Sequence, residues 1–244
     1  LIVLIFFLIN NNLNKNFNRF LLIVFFIFLA LFIGLRHSGT DLTMYIKYFN
    51  TIKEQDSYKI TSQGDIAFEY MIYLFSRLDL YFFFPYIKQV LTDNPFARFE
   101  FLTTPSFYLV TISSAVLFLI GIFKFIIRFS NPWLALFILM PHYIFIISMS
   151  AMRQSIALGI FFLAILYLCE NKRITFYLLI LLGALFHKPI IILSLIGIFS
   201  EEKIKIKHII AMTILILGMY LLKAEEFNRL FWHYLGPGQT AQQL

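Results

Sequence analysis

Long apolar runs alternate with short polar linkers along this chain. Residues 106–127, 133–148 and 155–168 are apolar, and with their flanking residues each approaches the roughly 20 residues a helix needs to cross a bilayer. They predict spanning helices, as does 20–35, a run that stops abruptly at Arg36. A further run, 174–199, is interrupted by His187, Lys188 and Pro189. Proline cannot continue the helical hydrogen-bond ladder, so a break is expected beside His187; the run is either a single kinked helix or, as the basic charge of 200–207 favours, a hairpin of two short helices. The last expected span is 208–222. The run 1–9 is too short to cross and reads as the end of a truncated helix, so the chain is expected to be part of a longer one.

The segment the rest is organised around is 150–168, SAMRQSIALGIFFLAILYL, with Arg153 and Gln154 at the head of an otherwise apolar helix. A guanidinium at a membrane boundary is costly to desolvate and cannot shed its proton, so it is kept where it meets an anion, a cavity or water. Ser155 and Gly159, small residues four apart, predict tight packing of this helix on a neighbour.

Composition fixes the class. Hydrophobic residues make up 60 % of the chain and Phe alone contributes 31, against roughly 45–50 % apolar content in a soluble domain. An all-α integral membrane protein follows: a polytopic helical bundle forming a single membrane domain over 1–244. The net charge of +7 is spread over the linkers rather than gathered in a patch, which argues against nucleic acid as a partner. The linkers 10–19, 124–131, 170–173 and 200–207 carry nine Lys or Arg against three Glu, whereas 36–105 carries seven basic and eight acidic residues. By the positive-inside rule the four linkers face the cytoplasm and 36–105 is an extracytoplasmic segment. The single cysteine, Cys169, excludes an internal disulfide and a thiolate metal cluster, and is expected in the core at a helix end.

Within 36–105, Asp41 is placed to cap a helix starting at Leu42, with Tyr45 and Phe49 on one face. Gly64 and Asp65 introduce a second helix. Here Phe68, Met71, Phe75 and Leu78 form an apolar stripe, with Glu69, Tyr73, Ser76 and Arg77 opposite, a pattern suited to an interfacial or re-entrant position. The aromatics of 81–105 fit a headgroup belt. This topology brings Arg36, His37, Asp41, Glu69, Arg153, Gln154 and His187 to the outer side. Each also has a structural explanation: Arg36 as an interfacial anchor, Asp41 as a cap, Glu69 as a favourable charge near a helix N-terminus, His187 as a satisfied turn residue. No glycine-rich phosphate loop, HExxH or zinc spacing occurs.

In sequence order, RHSGTD followed by Tyr45, then FEYMIYL, AMRQSIA and LFHKP resemble the motifs of EpsG-type, Wzy-like polysaccharide polymerases, over about Arg36 to Phe199. The chain departs from the family pattern at Leu42, Tyr70 and Pro189. The resemblance implies a multi-span glycosyltransferase of the broad GT-C class, an O-antigen, capsule or exopolysaccharide polymerase of the plasma (inner) membrane. Its site would face the periplasm or cell exterior. It would join repeat units carried on a polyprenyl (undecaprenyl) pyrophosphate, without nucleotide sugar, metal or other cofactor. Its partners would be the lipid-linked donor and acceptor, the bilayer, a chain-length regulator and a flippase.

Such a transfer develops negative charge on the pyrophosphate, which guanidinium groups can stabilise bidentately. Arg153 is the first candidate and Arg36 the second, with Gln154, His37 and Tyr45 as further substrate contacts. A carboxylate or imidazole can take the acceptor's hydroxyl proton: Glu69 or Asp41, with His187 binding phosphate or orienting the acceptor. An O-antigen ligase, a glycan acyltransferase, and a lipid-linked glycan flippase or transporter are the competing readings.

Overall fold

The computed structural model describes residues 15–36, 39, 41–54, 65–78, 105–199 and 213. The run 1–9, the aromatic segment up to 104, His37, the linker 200–207 and all but one residue of 208–222 lie outside the described residues. The chain divides into two compact units, Leu1–Ser194 and Leu195–Leu244. The elements of the first are α1 (Lys15–Gly34), α2 (Leu42–Lys53), α3 (Ile66–Ser76), α4 (Pro105–Ile126), α5 (Pro132–Leu139), α6 (Met152–Cys169) and α7 (Arg173–Phe186). A short helix, Ser194–Phe199, leads into the second unit. All regular structure among the described residues is helical.

Among the described residues, four stretches are long and apolar enough to cross a membrane: Asn16–Gly34, Ser106–Ile126, Pro132–Ser150 and Met152–Cys169. They fall where the sequence predicts them. The third is not a regular α-helix throughout, since α5 passes into a π-helix, Met140–Ile147, and then a single turn, Ser148–Ser150. Asn131 starts α5 by accepting from the N–H of Leu134 at 3.1 Å, and Pro132 follows it at a position where no amide hydrogen is needed. Ala151, at φ −117° and ψ 87°, leaves the helical region and separates this arm from α6. The arms return alongside each other, for Tyr143 meets Phe162 with ring centroids 5.5 Å apart.

The helices pack in a row, α1 on α4, α4 on α6 and α6 on α7. At the middle contact the backbones nearly touch: a Cβ on Gly159 would stand 2.6 Å from the Cα of Phe118. The small residues expected to permit tight packing of α6 therefore do so. One core gathers Leu29, Phe118, Ile122, Trp133, Leu136 and Phe162 in the body of the bundle. A second joins Tyr45, Phe49, Phe68 and Ile72 to Phe107 of α4 and to Met152 and Ile156 of α6. The two amphipathic helices thus sit over the heads of α4 and α6. Large apolar side chains on the other faces, such as Phe20, Ile27, Leu178 and Leu181, are exposed, as expected where acyl chains rather than water are the solvent.

The ends of the bundle differ chemically. At one, Arg128 and Lys172 both pair with Glu170, each at 2.8 Å, and the indole N–H of Trp133 donates to Asn18 at 2.6 Å. The turn after α6 closes with Asn171 at φ 59°. There Lys172 N–H donates to Tyr167 C=O and Asn171 N–H to Leu168 C=O, the helix stop an αL asparagine favours. The opposite end carries Arg36, Arg153, Asp65 and His187.

Two expectations are corrected. Cys169 is exposed, because it is the last residue of α6 beside that turn rather than part of the core. The faces of α3 also divide differently: Phe68, Glu69, Ile72 and Ser76 are buried, while Ile66, Tyr70, Leu74 and Leu78 are exposed. A polar stripe seeks water on a soluble surface, but here packing on α2, α4 and α7 takes the carboxylate face inward.

Candidate functional site

The site forms where four pieces of chain meet: the end of α1, the starts of α3 and α6, and the break after α7. That break lies where proline requires it. His187 is extended at φ −157° and ψ 99°, ending α7, and a 3-10 turn, Lys188–Leu193, follows. Ile190 then lies 3.4 Å from where a Cβ on Gly183 would stand. A residue seven positions on along a straight helix would be a full two turns away, so the chain folds back over the end of α7.

Asp65 is the centre. Its Oδ2 is 3.2 Å from Nη1 of Arg153, its Oδ1 accepts the main-chain N–H of Lys188 at 3.3 Å, and Nδ1 of His187 stands 4.0 Å from Oδ2. The side chain of Asp65 is only 7 % exposed, against 32 % for Arg153. A carboxylate so far removed from water needs partners, and it has them on two other elements. Arg153 is also held by Tyr45, whose hydroxyl accepts from Nε at 3.5 Å. The Tyr45 ring packs edge-on against Phe68, so the phenol is fixed from behind by the second core.

Arg36 also feels the charge of Tyr45. It is 5 % exposed, and Nη1 donates to the carbonyl of Ser148. That carbonyl is available because the regular helix ends at Ala151, leaving the last carbonyls without helical donors. Gly39 packs against the neighbouring carbonyl of Met149, where a side chain would clash. Nε and Nη2 of Arg36 are buried without a hydrogen-bond partner among the described residues. Burial draws this guanidinium down to about 10, while Tyr45 and Asp41 pull the other way. It remains a cation at neutral pH, with two donors unused.

The other candidates are placed as follows. Asp41 is half-buried and precedes α2, but its side chain does not cap the helix. Glu69 is 1 % exposed, one turn beyond Asp65 on the same face of α3. Gln154 is exposed, about 100° round α6 from Arg153, and does not join the cluster. His187 titrates below its ordinary 6.5 because burial opposes its charged form, Asp65 opposing the shift and Arg153 adding to it. It is therefore a neutral imidazole at neutral pH, able to accept a proton.

Asp65 and the amide of Lys188 are the groups that sequence reasoning missed. Gly64 followed by Asp65 before an apolar run reads as a helix start, and Asp65 does stand at that position. Its carboxylate turns away from the helix to serve residues about 90 and 120 positions on, which no local pattern reveals.

A model of the EpsG family matches residues 97–232, more than half of the chain. The matched stretch includes Arg153, Gln154 and His187, while Arg36, Asp41, Tyr45, Asp65 and Glu69 precede it. No curated protein and no solved structure matches the chain.

Proposed function

The chain belongs to the EpsG family, and on that premise we propose that it is a membrane glycosyltransferase that polymerises polyprenyl-pyrophosphate-linked oligosaccharide repeat units at the outer face of the plasma membrane. The observation that carries the reading is a pair of arginines that both interact with Tyr45, Arg153 through a hydrogen bond and Arg36 through its charge. As the glycosidic bond to the carrier breaks, negative charge develops on the pyrophosphate leaving group, and preorganised cations aimed at that charge lower the barrier. Arg153, about one-third exposed, is reachable from the headgroup layer. Arg36 supplies a buried cation with unused donors, suited to a second phosphate oxygen.

The acceptor hydroxyl must lose a proton as it attacks the anomeric carbon. His187, kept neutral by burial, is one base, and Asp41 and Glu69 are the alternatives. The outward orientation is supported by the basic end of the bundle, where Lys124, Arg128, Lys172 and Arg173 gather in the linkers opposite the site. The test is Arg153→Ala in cells that still make the lipid-linked repeat unit. Loss of long polymer with accumulation of the lipid-linked unit is expected, and polymer of unchanged length rules out the proposed role of Arg153.

The breaks at Ala151 and His187 favour a second reading, a transporter of lipid-linked glycan, since interrupted helices line such pathways. In that case repeat units accumulate on the inner leaflet when the protein is lost, rather than untouched on the outer one. A ligase or acyltransferase would use the same groups and is told apart by its product.

A further inference from the structure

The Asp65 carboxylate occupies the position an anion would take in this site. Arg153 Nη1 at 3.2 Å and the Lys188 amide at 3.3 Å donate to it, and His187 Nδ1 stands 4.0 Å away. A phosphate brought to the same guanidinium meets that carboxylate as a like charge at contact range, which is strongly unfavourable away from bulk water. The guanidinium, with five N–H donors, then either shares them between two like charges or exchanges one anion for the other.

The backbone provides a second place for it. Asp65 stands at the residue before α3 with φ −93° and ψ 118°, the extended conformation of a capping residue, yet its side chain makes no capping bond. The first N–H groups of a helix have no partner within the helix, and aspartate in this position is among the best acceptors for those of the second and third residues, here Ala67 and Phe68. Rotation of one side chain exchanges Arg153 and the Lys188 amide for those two groups. The backbone of Asp65 already has the extended conformation that a capping residue adopts, so the carboxylate would exchange one set of donors for another.

We propose that Asp65 is the resident counter-ion of a phosphate site made by Arg153, His187 and the main-chain N–H of Lys188, and that a diphosphate displaces it onto the N-terminus of α3. The proposal rests on the reading of Arg153 as a phosphate contact and adds an exchange of anions that the reading does not require. The exchange gives the Arg153 charge a counter-ion while the site is empty, and frees Arg153 and the Lys188 amide together when the ligand arrives.

The test uses the full chain purified in detergent micelles, with inorganic pyrophosphate as the probe and isothermal calorimetry as the readout. Asp65→Asn removes the competing charge, and Asp65→Ser removes it while keeping a capping oxygen. Both are expected to bind pyrophosphate roughly three- to tenfold more tightly than the natural chain, the scale of one partly screened charge contact. Asp65→Glu, which keeps the charge and caps poorly, is expected to bind no more tightly. The gain must vanish in the double variant Asp65→Asn with Arg153→Met. Equal or weaker binding by folded Asp65→Asn overturns the proposal, since the carboxylate would then orient Arg153 instead of holding its place. If that variant does not fold, Asp65→Ser decides in the same way. Tightening that survives in the double variant also overturns it. A natural chain that binds pyrophosphate through Arg153 but makes no polymer removes the polymerase reading and leaves the exchange standing.

Discussion

Gly121 and Gly159 face each other across the contact of α4 and α6 with no room for a side chain on either: a Cβ on Gly121 would meet the carbonyl of Gly159. Helices in a bilayer gain little from burying apolar surface and associate through close packing of small residues. This contact therefore holds α6, and with it Arg153, in register with α4. Gly159→Val is expected to cost about 1–3 kcal/mol through overpacking, read as a lower melting temperature in detergent. Polymer is expected to fall in parallel, although residue 159 touches none of the charged groups.

Arg36 combines a structural liability with a proposed role. A buried guanidinium with Nε and Nη2 unbonded carries an uncompensated desolvation cost, and replacing such a group by an apolar one of similar length is often neutral or stabilising. Arg36→Met is expected to melt at the same temperature as the natural chain or a few degrees higher, while long polymer is lost. A variant that melts much lower would mean that the bond to Ser148 is the group's main purpose.

His187 gives the pH dependence a sign. Its folded-state pKa lies below the ordinary 6.5 because of burial, so the unfolded chain binds the extra proton first as pH falls. The contribution to stability is present in full above pH 6.5 and is lost as pH falls from there through the folded value. Thermal melting from pH 8 to 5 is expected to show this decline, and His187→Gln is expected to flatten it. If His187 is also the base, the acid limb of polymerisation disappears with the same variant.

Orientation is open to a direct chemical measurement. Cys169 is the single cysteine and is exposed at the basic end, while Gln154 is exposed at the head of α6. A membrane-impermeant maleimide is expected to leave Cys169 unlabelled in intact cells and to label it after permeabilisation. In a Cys169→Ser background, Gln154→Cys is expected to label from outside. The reverse pattern would put the site on the cytoplasmic side and end the proposal of an outer-face polymerase.

The ion pairs at the other end of the bundle serve as a control. Glu170 pairs with Arg128 and Lys172 in an exposed position, where such contacts contribute little. Glu170→Gln is expected to leave melting temperature and polymer length unchanged within error, in contrast to any change at Asp65.

The amino-acid order by itself determined the four long apolar helices of the described residues, the break beside His187 and the close approach of α6 to its neighbour. Each of these depends on residues near in sequence: a run of apolar side chains, a proline, a pair of small residues four apart. It also marked Arg36 and Arg153 as candidates, because a cation at the end of an apolar run is conspicuous, and Tyr45 through the motif resemblance. Only the tertiary structure decided which groups meet. It turned the carboxylate of Asp65 away from the helix it precedes and toward Arg153 and the Lys188 amide, left Gln154 outside, and set Arg36 against a carbonyl freed by the end of the regular helix at Ala151. The physical reason is that a buried charge takes whichever donor the packing of α3 against α4 and α7 brings within 3–4 Å, and those donors come from segments far apart in the chain.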